Sequence, residues 1–201
     1  MARPSNKAQR RQQLAEALLS LMAERGYEGT SVSEIAARAG LNQGLVYYHF
    51  KSKLEVLLAA VELLAQQHEA RLDGAMAAAD SAPWAQVEAY INAHLGLTAT
   101  ADAQALKSWI DVSSEALRRP EVQAPFRVIV TGLTARLATI IEQGVDEGVF
   151  TADPAAASAA LVATIQGYLL LAGAAREVIP HGTAALSTIA MARGLLNVKE
   201  V

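Results

Sequence analysis

Between Gly40 and Lys53 the chain reads GLNQGLVYYHFKSK. Two adjacent tyrosines, a histidine and two lysines crowd a segment too short for a long helix. Their hydroxyl, imidazole and ammonium groups suit phosphate oxygens. Gln43 adds an amide able to pair with adenine through two hydrogen bonds in a major groove, and Leu45 an apolar tip for a thymine methyl. Gly44 lets a backbone come close. If the segment is a short helix, its N-terminal amides and positive dipole end also favour phosphate. The chemistry on offer is recognition of a double helix.

Such groups must stand on the outer side of a helix anchored by its other side. Val46 and Phe50, at i and i+4, supply the anchor and are expected to face Leu18, Leu21, Ile35 and Leu54. Asn42 caps this helix. Before it, Ser31-Val32-Ser33-Glu34 is a capping box opening a helix with Val32, Ile35, Ala36 and Ala39 on one side, ended by Gly40. Two short helices joined by a glycine turn make a helix-turn-helix unit. Leu14, Leu18, Leu21 and Met22 mark a preceding helix stopped at Gly26. Ser52 starts a fourth, carrying Leu54, Leu57, Leu58, Val61 and Leu64. Arg3, Lys7, Arg10 and Arg11 read as a basic arm able to reach a minor groove or the DNA backbone, with a solvated tail as the alternative.

Beyond a loop expected at 74–83, helical periods are expected at about 85–99, 103–117, 122–148, from Pro154 onward, and 184–197. The chain has 201 residues, 52% apolar but only 5% aromatic, an alanine-rich balance that favours an all-α protein. It has no cysteine, which excludes disulfides and thiolate chemistry and fits a reducing cytoplasm. The N-terminus shows no signal-peptide pattern. The apolar run 155–175 is interrupted by Ser158, Thr164 and Gln166, so a buried helix is expected there and not a membrane span. Gly167 and Gly173 permit close helix approach. Residues 1–53 hold eight Lys/Arg and four Glu, a net of +4; the remainder holds nine basic and sixteen acidic residues, a net of −7. A basic third on an acidic body suggests two jobs. The histidines (49, 68, 94, 181) are scattered, and no metalloprotease, phosphate-loop or nucleophile-elbow motif is present. No catalytic residue, metal or cofactor is expected. A helical carrier, or an enzyme with no DNA role, is the rival class.

GTSVSEIAARAGLNQGLVYYHFKSKLEVL, Gly29 to Leu57, resembles the DNA-binding domain of TetR-family transcriptional regulators. The resemblance implies base-reading positions at Gln43, Gly44 and Leu45, and phosphate-facing ones at Ser31, Tyr47, Tyr48, His49 and Lys53, with Arg3 and Lys7 as further DNA contacts. Asn42 and Leu45 stand where the family often has Ser or Thr, and Leu45 loses a hydroxyl donor. KSWIDVSSEALRRPEVQAPFRVIVTGLTARLATIIEQGVDEGVF, followed by DPAAASAALVATIQGYLLLAG, is similar to the C-terminal domain of the BetI-like subgroup. The implied protein is all-α, with a helix-turn-helix DNA-binding domain at 1–53 and an effector-binding and dimerisation domain at 54–201. It would act in the cytoplasm as a homodimer joined through its last two long helices. It would repress at a palindromic double-stranded operator until a small molecule releases it, and it would not touch a membrane.

Candidate effector contacts are Tyr90, His94, Trp109, Ser113, Phe126 and Tyr168. His94 lies on an apolar face, where a satisfied interior histidine is the ordinary role. Trp109 and Tyr168 suit packing as well as a ligand cage. Asp111 and Glu115 read as solvated; facing a cavity, either would favour a cationic ligand, with aromatic help through cation–π attraction.

Overall fold

The computed structural model describes residues 6–96 and 103–199. Arg3 lies outside them, as do residues 97–99 of the helix expected at 85–99. The described residues form nine α-helices and no strand: α1 (Asn6–Arg25), α2 (Val32–Arg38), α3 (Gln43–His49), α4 (Lys53–Ala78), α5 (Pro83–Leu95), α6 (Ala103–Ala116), α7 (Pro120–Asp146), α8 (Pro154–Ala174) and α9 (Thr183–Leu195), with one turn of 3-10 helix at Arg176–Val178.

Two expectations change here. Lys7, Arg10 and Arg11 belong to α1 and not to an extended arm. From Asn6 to Gln13 the sequence is mostly Lys, Ala, Gln and Arg, all good helix formers, so nothing delays the helix. The loop expected from Gly74 begins only after Ala78. Leu72 is fully buried and Met76 packs on the same core, and the alanines after Gly74 restore helix propensity.

Packing divides the chain into two compact units, Met1–Gln67 with Asp102–Val128, and His68–Ala101 with Ile129–Val201. In the first, α1 packs against α2, α3 and α6, and α2 against α3. Leu14, Leu18, Leu21, Met22, Ile35, Val46, Phe50 and Leu57 are its buried apolar side chains. Each contributes roughly 1.5–3 kcal/mol by leaving water. The turn between α2 and α3 is made by Gly40 at φ +66°. Its amide donates to Ala37 O at 3.1 Å and that of Leu41 to Ala36 O at 2.9 Å, a Schellman closure that a side chain at residue 40 would strain.

The second unit is built on Leu72, Tyr90, Ile91, Leu137, Ile141, Phe150, Leu161 and Ile165. Asp153 caps α8 through Oδ1, which accepts from the amides of Ala155 (2.9 Å) and Ala156 (3.1 Å). Helices α7 and α8 are long and apolar enough to cross a membrane by length and composition, and each packs one side into this core. The expectation of a buried helix at 155–175 therefore holds for one side only. Ala157, Ser158, Leu161, Val162 and Ile165 of α8 are buried, whereas Ala156, Ala159, Ala163 and Leu170 are exposed.

Candidate nucleic-acid interface

Helix α3 is seven residues long, too short to persist by propensity alone. Two devices hold it. At its start Asn42 Oδ1 accepts from the amide of Leu45 at 2.9 Å. Along its inner side Val46 and Phe50 are 1% and 2% exposed, as their spacing requires. The opposite side is wet: Tyr47 is 55% and Tyr48 75% exposed, Gln43 and Gly44 are exposed, and Leu45 is half-buried. A side-chain carbon added at Gly44 would meet only Asn42 Oδ1, at 3.3 Å, so the backbone there is open to an approaching surface. The α2 capping box is complete. The amide of Ser31 donates to Glu34 Oε2 (2.7 Å) and that of Glu34 to Ser31 Oγ (3.3 Å), with Ser31 itself exposed.

His49 departs from the expected pattern. It is buried, on the side of Val46 and Phe50, because it lies three residues after Val46. Its Nδ1 has no protein partner, and its ring stands edge-on to Tyr48 at 5.0 Å. Burial, and then the nearby Arg11, Lys7 and Arg10, hold its pKa below the usual histidine value. Lys53 is half-buried, with Nζ 4.0 Å over the ring of Tyr27. Burial lowers its pKa. Arg119 lies 4.9 Å from the same ring and pairs with Glu28 and with Glu115, the latter at 2.8 Å. Glu115 is thus no solvated carboxylate: it is buried and held by Arg119 and, at 3.6 Å, by Arg118. Beside it Asp111 is half-buried, and burial followed by the Glu115 charge raises its pKa. Lys7 is exposed on α1.

The comparisons with known proteins agree with this geometry. Residues 14–60 match the family described as bacterial regulatory proteins, tetR family, and residues 83–195 match BetI-type transcriptional repressor, C-terminal. The chain belongs to the TetR family. Its α2–α3 pair is the helix-turn-helix of a DNA-binding transcriptional regulator. The regulator BetI of Serratia proteamaculans is 28% identical over 139 residues, 67% of this chain and 70% of that protein. BetI of Burkholderia mallei is 30% identical over 128 residues, 64% of this chain and 65% of that protein. A solved transcriptional regulator from Rhodococcus sp. Rha1 superposes with a TM-score of 0.81 at 25% identity, covering 95% of this chain and 98% of that one.

In this TetR-family chain the six effector candidates divide between the units. Trp109, Ser113 and Phe126 lie in the first. The Trp109 and Phe126 rings are 5.2 Å apart, and Ser113 Oγ donates to Trp109 O at 2.8 Å. A recess of about 240 Å³ in the same unit is lined by Tyr27, Glu28, Asp111, Ser114, Glu115 and Arg118 among others, and by none of those three. Tyr90, His94 and Tyr168 lie in the second. Tyr90 is fully buried and its hydroxyl donates to Leu133 O at 3.0 Å; Tyr168 is half-buried against the core.

His94 has a partner that sequence spacing did not reveal. Its Nε2 is 2.9 Å from Nε2 of His68. Arg71, which only donates, reaches His68 Nδ1 at 3.1 Å, and His94 Nδ1 lies 2.7 Å from Tyr90 O, which only accepts. The protons are therefore ordered: Arg71 donates to His68, His68 to His94, and His94 to the Tyr90 carbonyl. Both rings are neutral in this arrangement. Burial is the main cause that holds His68 down to about 3 and His94 to about 4.

Proposed function

We propose that this TetR-family regulator is a homodimeric repressor, working in the cytoplasm, that leaves a palindromic operator when a small molecule binds. Residues 1–53 carry DNA recognition and residues 54–201 carry dimerisation and effector response. The observation that carries the proposal is the pair Tyr47 and Tyr48, set out in water by a helix whose other side is locked into the core. Gln43, Gly44 and Leu45 would meet base edges. Tyr47, Tyr48, Ser31, Lys53 and Lys7 would meet phosphates.

The dimer draws its support from the open sides of α8 and α9. Ala156, Ala159, Ala163 and Leu170 follow one another at helical spacing along α8, and Leu186, Met191 and Leu195 stand exposed on α9. A second copy covering that stripe would present two copies of α3 to successive major grooves about 34 Å apart. The effector acts by preferring one spacing of the two reading helices over another, with Tyr90, His94, Trp109, Ser113, Phe126 and Tyr168 as candidate contacts.

Selection of bound fragments from a random duplex library tests the proposal, with recovery of a palindrome expected. Gln43→Ala should then lower discrimination between that palindrome and a scrambled duplex by roughly tenfold, the value of a lost bidentate base contact. Tyr47→Phe should weaken both duplexes alike. Retention of no duplex at low salt would remove the DNA role.

A further inference from the structure

Three cations sit near the start of α1, and they are not equivalent. Lys7 is exposed. Arg10 is tied to Gln13 on its own helix at 2.8 Å. Arg11 instead reaches 38 residues along the chain: its guanidinium donates to the carbonyl oxygen of His49 at 2.5 Å, and its Cζ sits over the ring of Phe50, 4.0 Å from the centroid. His49 is the last residue of α3 and Phe50 is its C-cap. The His49 carbonyl is one of the end carbonyls that no amide of α3 can satisfy. At the start of α3 the Asn42 cap is local and belongs to the same segment. At the end of α3 the Phe50 amide donates locally to Val46 O at 2.8 Å, and the hold on the free His49 carbonyl comes from another helix.

We propose that Arg11 is a positioning residue for operator recognition: it fixes the end of the reading helix on α1, and its charge is spent there and not on a phosphate. The proposal rests on the reading of α3 as the DNA-reading helix. A guanidinium that donates to a carbonyl with one nitrogen while its centre sits over an aromatic ring makes two contacts at once, which the single ammonium of a lysine cannot reproduce. The positive charge also complements the negative end of the α3 dipole. With the end of α3 fixed, Tyr48, whose ring meets that of His49 edge-on, keeps its direction into solvent. Freed, α3 could swing about its Asn42 end, and base contacts, which depend on register, would suffer more than phosphate contacts, which tolerate it.

The test compares wild type, Arg11→Lys, Arg11→Met and Lys7→Ala on the selected palindrome and a scrambled duplex, from 50 to 200 mM salt, with helicity and thermal unfolding checked for each. Arg11→Lys and Arg11→Met are both expected to stay folded and to lose roughly tenfold or more in operator affinity, the scale of a lost charged hydrogen bond. The ratio of operator to scrambled binding should fall with it, and the salt slope should match wild type. Lys7→Ala should lower the slope by about one with the ratio intact. Wild-type behaviour of Arg11→Lys together with a reduced slope for Arg11→Met would make Arg11 a phosphate contact and overturn the proposal. A loss that follows only the folded fraction, with the ratio unchanged, would overturn it too. A wild-type protein that does not discriminate between the two duplexes would sink the DNA reading itself, a result separate from either.

Discussion

Helices α3 and α8 both expose side chains that a folded chain usually conceals, and they do so in opposite chemical styles. On α3 the exposed groups are hydrogen-bonding aromatics next to cations, on a helix of 7 residues. On α8 they are alanines and leucines, on a helix of 21 residues. A wet surface of tyrosine, glutamine and lysine gains from a charged, polar partner. A dry stripe of alanine and leucine gains only from another apolar surface. The two exposures thus suit different occupants, a nucleic acid for one and, in the proposed dimer, a second copy for the other. In that proposal the chain needs both, because each α3 would read only half of a two-fold site.

Salt separates the two most sharply. A dimer that neutralises six or more phosphates should lose roughly a thousandfold in operator affinity between 50 and 200 mM salt. The self-association of the apolar stripe should stay level or tighten over the same range. Titration of operator binding beside sedimentation at each salt concentration measures both. Parallel weakening of the two would show that the stripe does not hold the dimer. Next in size is Leu170→Glu combined with Leu186→Glu, which places charges on the stripe. Burying an unpaired carboxylate costs several kcal/mol, so dimers should give way to monomers and operator affinity should fall roughly a hundredfold. Monomer helicity should survive, because both leucines are exposed, at 53% and 69%.

Histidines give a third contrast, between the interior of the second unit and the back of α3. His68 and His94 are held near 3 and 4, below the ordinary value of 6.5, so the unfolded chain takes up protons that the folded one refuses. Stability is therefore whole above about pH 6.5 and is lost as pH falls toward the folded values, by roughly 1.4 kcal/mol per pH unit for each ring. Urea unfolding at pH 7 and pH 5.5 should show it, and the combined change His68→Leu with His94→Leu should flatten the dependence. A dependence that stays equally steep in that variant would move the cause elsewhere, with the lowered His49 as the next group to examine.

The DNA-reading half of this picture was legible in sequence because its determinants are local. A cap, a glycine turn and an i, i+4 anchor all act within a dozen residues, and together they orient Tyr47 and Tyr48. His49 was misplaced because its chemistry suggested phosphate while its position, three residues after Val46, put it inside. Arg11, read as part of an arm, was missed because its partners, His49 and Phe50, lie far along the chain and meet it only through tertiary packing. Glu115, read as solvated, has its partners Arg118 and Arg119 only three and four residues on, but its burial and the contact of Arg119 with Glu28 and Tyr27 come from tertiary packing. His68 and His94 are 26 residues apart, a spacing with no helical meaning across two different helices. The open side of α8 was hidden by composition, since alanine reads as core wherever it falls.

The smallest expected effect compares the two helices through the same chemistry. Asn42 caps α3 and Asp153 caps α8, each by accepting from amides of the first turn. Replacing either by alanine should cost about 1 kcal/mol of stability, the usual value of a lost N-cap. The consequences for function should differ. Helix α8 has 21 residues and a broad buried side, so a frayed first turn leaves the rest in place. Helix α3 has seven residues, and its first turn contains Gln43, Gly44 and Leu45, the groups assigned to base edges. Asn42→Ala should therefore lower discrimination between operator and scrambled duplex severalfold, whereas Asp153→Ala should leave it unchanged at equal loss of thermal stability. Equal discrimination in the two variants would mean that bases are read by something other than the opening turn of α3.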